Sequence, residues 1–324
     1  MASEREIAAG RGKATIGIDL GGTNIAAGVV DESGRILAQS HRRTLPERPY
    51  QEVVADMALT AKDAVRAANL AMEDISSIGV GVPGFFDKKA GVVVFCTNLG
   101  WHDVPLRAEM RKHIDLPVYG DNDATVAGFA EAIAGVSRGV DSSVFLTLGT
   151  GLGSGIIMDG KPWSGAHGVG GELGHIMYKQ GGIPCTCGAQ GCLERYASAT
   201  ALARIAREAA ERHPESSLAK IAGDRMNAKA VIDEVQKGDA AAIEAFDEYT
   251  THLANGIITI ISFLDPELIV LGGGVSHAGE TLLEPVRRKV EKGKFFKTLP
   301  TGKIVLAALG NEAGIIGAAM LHRA

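Results

Sequence analysis

The chain has 324 residues, 46% apolar and 22% charged, which is enough for a sizeable core and, at about 150 residues per domain, for two domains. Its 42 glycines, about 13% against the roughly 7% of ordinary globular proteins, keep no period of three, and prolines number only 11, which excludes collagen and disorder. A formal charge of −5 offers no basic field to nucleic acid or an anionic membrane, so neither is expected as a partner.

Residues 1–13 are polar and lack an apolar core, so no secretory signal is expected and the predicted location is the cytoplasm. Residues 15–19 form a β-rich run that meets Gly21 and Gly22, 25–30 continue as a second strand, and 31–34 supply a turn. That is hairpin chemistry rather than a βα crossover. Val53, Val54, Met57, Ala61, Val65 and Ala68 then make a helical stripe, and residues 78–82 a strand ending at Pro83 and Gly84. Gly79, Gly81 and Gly84 spell G-x-G-x-x-G, but residues 85–91 lead into another strand at 92–95 instead of opening a helix. The dinucleotide reading fails on that ground, and no P-loop motif is present.

Residues 104–113 are predicted as a helix, 116–119 as a strand and 124–134 as a helix, which puts Asp121, Asn122 and Asp123 where a strand hands over to a helix. Open α/β sheets bind ligands at such strand ends. Asp123 fits a general base there, raised in pKa by desolvation and the neighbouring Asp121. It fits a helix cap equally, and the local residues leave both open.

Residues 144–159, VFLTLGTGLGSGIIMD, repeat the layout of 16–31, IGIDLGGTNIAAGVVD, at an offset of 128 residues. A partial echo pairs 78–82 with 268–271, the latter ending at Gly272, Gly273 and Gly274 and preceded by a long helical stripe over 239–264. The longest apolar stretch, 257–264, is far too short for a membrane span. A small-residue helix over 312–322 closes the chain. Two copies of hairpin, helix and strand predict two α/β domains of related topology. The boundaries read as a small lobe over 14–123, completed by 312–323, and a large lobe over 124–311.

Two glycine loops carry the first chemistry. Asp19 to Thr23, D-L-G-G-T, sets a carboxylate at a strand end beside bared amides, and T-L-G-T-G-L-G at 147–153 offers a second loop around Thr150. Such amides bind phosphate oxygens, and a nearby carboxylate can hold Mg²⁺ through its waters. The pair points to a nucleotide triphosphate, although each loop alone could be a tight hairpin. His175, Cys185, Cys187 and Cys192 make H-x9-C-x-C-x4-C, a full set for a closed structural Zn²⁺ within the segment 175–192. Cys96 stands apart and reads as a small core residue.

The order D-L-G-G-T-N at 19–24, D-N-D-A at 121–124, L-G-T-G-L-G at 148–153, G-E-L-G-H at 171–175 and C-x-C-G-x-x-G-C-L-E at 185–194 resembles the ROK family of sugar kinases. The resemblance implies an α/β chain with the actin-like ATPase (ribonuclease H-like) fold, two related lobes around a central cleft. It implies that Asp123 deprotonates the attacking hydroxyl, that Asn122 binds the sugar beside it, and that Asn98, Glu172, His175 and Glu194 hold the other hydroxyls. His175 would serve zinc with one ring nitrogen and sugar with the other. Gly21, Gly22, Thr23, Thr150 and Gly151 would cradle ATP phosphates, Asp19 would position Mg²⁺, and Gly273 with Gly274 would abut the adenosine.

N-L-G-W at 98–101 is similar to the glucokinase branch, so the expected reaction is ATP-dependent phosphorylation of glucose at its 6-hydroxyl. Fructose, mannose, allose and the N-acetylated hexosamines stay open as alternative substrates, as does polyphosphate as donor and a non-catalytic sugar-sensing role. Many members read E-N-D-A-N where this chain has D-N-D-A-T, which leaves Asp121 and Thr125 without an assigned part. Some members are repressors with an N-terminal helix-turn-helix, and the 15 residues before Ile16 are too few for one, so the enzyme is expected over the regulator. The resemblance also implies a homo-oligomer, dimer or tetramer.

Overall fold

The structure is a computed structural model that describes residues 14–221 and 223–324. The reading of residues 1–13 as free of a signal lies outside the described residues. In chain order the strands and helices begin β1 (Ala14–Leu20), β2 (Asn24–Val30), β3 (Ile36–Arg43), α1 (Tyr50–Ala67), β4 (Ile75–Val82), β5 (Phe85–Asp87), β6 (Val92–Cys96), β7 (Trp101–Val104), α2 (Leu106–His113), β8 (Val118–Asn122) and α3 (Asp123–Ala134). They continue with β9 (Ser142–Leu148), β10 (Leu152–Met158), β11 (Lys161–Trp163), α4 (Glu194–Ala197), α5 (Ala199–Arg212), α6 (Ala228–Gln236), α7 (Ala240–Leu264), β12 (Leu268–Gly272), α8 (Glu280–Gly293), β13 (Lys303–Leu306) and α9 (Ala313–Met320).

The chain divides into two compact units. The first holds the described residues up to Asp141, then Gly155–Gly171 and Ala308–Ala324, and the second holds Ser142–Ser154 and Glu172–Ala307. The first unit thus takes in α3, which the sequence reading left with the second lobe.

The first sheet runs β3-β2-β1-β4-β8, with β1 antiparallel to β2 and parallel to β4. Alternation divides its two faces. Ile16, Ile18 and Leu20 of β1 and Ile78, Val80 and Val82 of β4 share one core cluster with Val53, Val54, Met57 and Ala61 of α1. The opposite face carries glycine where α9 lies. A Cβ on Gly17 would sit 1.8 Å from the Ile315 carbonyl oxygen, and one on Gly79 would sit 1.7 Å from that of Ala318. Gly84 faces Phe95 in the same way, its Cβ position 2.3 Å from the carbonyl oxygen. The apparent dinucleotide fingerprint is therefore a packing motif. A three-stranded sheet, β5-β6-β7, carries the turn with Asn98.

The second sheet runs β11-β10-β9-β12-β13 and repeats the order of the first: three strands consecutive in the chain, then two more that run parallel to the first of them. The duplication read from the 128-residue offset is thus a repeat of topology. In the second unit α7 packs against α5, α6 and α8, and its N-cap Asp239 accepts from the Ala242 amide.

Two local readings shift. The helix predicted from 104 begins at Leu106 behind Pro105, because Val104 belongs to β7. The strand predicted over 116–119 lies at Val118–Asn122, since the β4 ladder pairs Ile78 with Val118 and Val82 with Asn122. Register, which sequence does not print, carries the acidic cluster onto the strand end.

Gly79 and Gly81 differ only in what they face, since a Cβ on Gly81 would meet Val126 side-chain atoms at an ordinary 3.5 Å. Gly79→Ala should cost about 1–3 kcal/mol by overpacking and lower the melting temperature, with Gly81→Ala near wild type. Equal melting temperatures in the two variants would refute the close-approach account.

Candidate active site

In the first unit the turn after β1 is tied by Gly21 N–H donating to the Asn24 carbonyl at 2.9 Å, which leaves Thr23 exposed. Asp19, next to last in β1, lies against the first turn of α9, where Gly314 leaves room for it: a Cβ there would meet its Oδ2 at 2.5 Å. Burial pushes the Asp19 carboxyl up, so a cation beside it would hold it ionised. That suits the Mg²⁺ role assigned from sequence. Gly22 lies against Asn98, its Cβ position 3.5 Å from the Asn98 Cβ, so the candidate phosphate loop and a candidate sugar residue adjoin.

At the start of α3 the helix cap is Asn122, not Asp123. Asn122 Oδ1 accepts from the amides of Ala124 at 2.9 Å and Thr125 at 3.2 Å, while its Nδ2 donates to the Gly84 carbonyl at 3.3 Å. Asp123 becomes the first helical residue, with Oδ1 accepting from the Ala124 amide at 2.8 Å. Asn122 therefore takes the cap position, and Asp123 binds a single amide of the first turn.

Asp121 is buried, and its Oδ2 pairs with Lys88 Nζ at 2.6 Å. Burial still pushes its carboxyl up, against the pull of that lysine. Asp121 thus has a raised pKa, and its partner Lys88 is one that sequence could not supply. Cys96, buried, reaches the Pro83 carbonyl at 3.1 Å, takes bonds from the Asn98 and Leu99 amides, and feels the charge of Asp123. It belongs to the core cluster, as read from sequence, and lies within hydrogen-bond reach of the Asn98 amide.

In the second unit Glu194 Oε2 accepts from the Leu152 amide at 2.9 Å, and a Cβ on Gly151 would lie 2.4 Å from the same oxygen. The carboxylate therefore backs the second glycine loop, a link between Glu194 and Gly151 that sequence gave no sign of. The Thr200 hydroxyl donates to the Thr150 carbonyl at 2.7 Å. Gly273, with φ at 80°, has Leu148 backbone 2.6 Å from its Cβ position, which brings the glycines after β12 against the same loop. Glu172 and His175 are exposed on a 3₁₀ turn tied down by Leu173 N–H donating to Ser154 Oγ at 3.0 Å.

His175, Cys185, Cys187 and Cys192 bring their ligand atoms within 4.8 Å of one another. Cys185 Sγ lies 3.8 Å from His175 Nδ1, and Cys187 Sγ lies 3.6 Å from Cys192 Sγ. An edge of a tetrahedron with zinc–sulfur bonds of about 2.3 Å is about 3.8 Å, so the cluster fits a structural zinc. Burial among the other thiols pushes Cys192 up to about 12, while the Ala189 amide lowers Cys187. A cation is what would keep all three as thiolates. Protein prepared without chelator should contain about one zinc per chain by metal analysis, and Cys192→Ser should lose it. A zinc content near zero in such protein would refute the site.

Residues 15–324 match the ROK family. The chain is 38% identical over 309 residues to a glucokinase of Thermotoga maritima, covering 94% of this chain and 96% of that one. It is 36% identical over 310 residues to a glucokinase of Halalkalibacterium halodurans, covering 94% of each. Among solved structures, a ROK family glucokinase from Streptomyces griseus in complex with glucose and AMPPNP has a TM-score of 0.82 at 36% identity, covering 96% of this chain and 99% of that one. The two sheets of repeated topology are those of the actin-like ATPase fold. With the match running through both glycine loops, the acidic strand end and the Cys₃His cluster, the chain belongs to the ROK family.

Proposed function

We propose that this protein phosphorylates glucose with ATP, yielding glucose 6-phosphate and ADP. The observation that carries the reading is the near full-length similarity to glucokinases, joined to Asp123 at a strand end in the unit where a glycine loop adjoins Asn98.

Asp123 takes the proton of the 6-hydroxyl as O6 bonds to the γ-phosphorus and the bond from that phosphorus to the ADP oxygen breaks. The Ala124 amide on Oδ1 fixes the carboxylate at the helix start. Asn122, its Oδ1 occupied by two amides, offers the sugar a hydrogen of Nδ2. Asn98, Glu172, His175 and Glu194 hold the remaining hydroxyls. With His175 Nδ1 turned to Cys185, Nε2 is its substrate nitrogen. Amides of Gly21, Gly22, Thr23, Thr150 and Gly151 receive phosphate oxygens, and Gly273 with Gly274, having no side chains, let adenosine lie close. Asp19 would hold Mg²⁺ through its waters, and the ion would supply charge neutralisation on the phosphates.

We assign the protein to the cytoplasm as a dimer or tetramer. Among the described residues no helix is long and apolar enough to cross a membrane. Phe263, Phe295 and Phe296 stand 88%, 78% and 60% exposed, apolar surface suited to a second copy of the chain.

Asp123→Asn should lower turnover roughly 10²- to 10⁴-fold while calorimetry still detects glucose binding. Unchanged turnover would remove Asp123 as the base. ADP release across a panel of hexoses should be fastest with glucose, and a clear preference for another hexose would overturn the substrate assignment.

A further inference from the structure

The loop from Gly21 to Thr23 has two adjacent glycines, the residues with the greatest backbone freedom, yet an amide cradle binds an anion well only when its donors are already aimed. Something outside the loop must hold it. The β2–β3 ladder ends with Asn24 opposite Arg43, which sets Thr44 opposite Thr23. Thr44 is fully buried and makes two bonds to the loop. Its N–H donates to the Thr23 carbonyl at 2.9 Å and its hydroxyl donates to the Gly21 carbonyl at 2.7 Å. The two bonds straddle Gly22.

The corner that carries Thr44 is itself held. Leu45 has φ at 48°, a left-handed conformation that a leucine adopts only at a cost. Arg48 meets that cost. Its Nη2 donates to the Thr44 carbonyl at 3.0 Å and to Asp56 Oδ2 on α1 at 2.6 Å, and its backbone N–H donates to the Leu45 carbonyl at 3.3 Å. A ladder that merely ended would need neither the strained residue nor the arginine.

We propose that Thr44 is a positioning residue for nucleotide binding, holding the Gly21–Thr23 loop with its amides set for phosphate, and that Arg48 anchors Thr44 to α1. Thr44 acts through the loop and touches no substrate. The proposal rests on the reading of that loop as a phosphate cradle, so the test separates the two.

Steady-state kinetics with ATP and glucose on the full chain would compare Thr44→Val, which keeps the branched shape and loses the hydroxyl proton, with Thr44→Ser, which keeps the proton. Loss of one such bond should raise the KM for ATP roughly threefold to tenfold in Thr44→Val, with little change in the KM for glucose, and Thr44→Ser should restore it to within about twofold. Arg48→Gln should raise the same parameter by a smaller factor, and it stands in if Thr44→Val does not fold. An ATP KM unchanged in both Thr44→Val and Arg48→Gln, or KM values for ATP and glucose rising together, overturns the proposal. Gly22→Ala tests the loop itself, since its methyl would meet only Asn98 at an ordinary 3.5 Å. A higher ATP KM in Gly22→Ala with Thr44→Val unaffected would dismiss Thr44 alone. No change in Gly22→Ala would dismiss the phosphate reading of the loop.

Discussion

The first unit depends on backbone meeting backbone across one face of its sheet. Because side chains alternate, β1 and β4 can bury isoleucine, valine and leucine toward α1 while offering glycine to α9 on the other side. The approach is close enough that no side chain fits at Gly17 or Gly79, and α9 answers with its own small residues: a Cβ on Gly317 would lie 1.9 Å from the Val126 carbonyl oxygen of α3. The end of the chain is thereby locked to the strand that carries Asp19 and to the helix that begins at Asp123. Sheet, helix and candidate chemistry share one contact.

The second unit solves a different problem. Between Glu172 and Glu194 the chain has little to bury, and two isolated bridges, Met177 with Cys192 and Pro184 with Gln190, give it only a little ladder. Four ligands brought within one coordination sphere can order such a segment without a core of its own. Glu194 then connects this order to the second glycine loop, since one of its oxygens takes the Leu152 amide while the other lies 3.8 Å from Cys185 Sγ. The Cys₃His cluster and the second glycine loop are thus a single carboxylate apart.

The glycine excess follows from both solutions. Of the 42 glycines, 14 fall between Gly149 and Gly191, where the second loop, the turn of Glu172 and His175 and the cysteine cluster succeed one another. Others mark the seam with α9. Gly79, Gly81 and Gly84 show how such spacing misleads, because a motif defined by glycine cannot tell close approach to a ligand from close approach to a helix.

Sequence by itself determined the architecture and the chemical inventory. Period-two runs, glycine turns and the 128-residue offset are local patterns, and they were enough for two related α/β sheets, two glycine loops, the acidic strand end and the Cys₃His set. Tertiary structure decided the pairings. That Asn122 caps α3, that Lys88 pairs with Asp121, that Thr44 pins Gly21 and that Glu194 backs Gly151 each depends on residues distant in the chain or on a register fixed by a neighbouring strand. Periodicity reports what a segment buries. Only the packed chain reports against what, because hydrogen bonds form between positions in space.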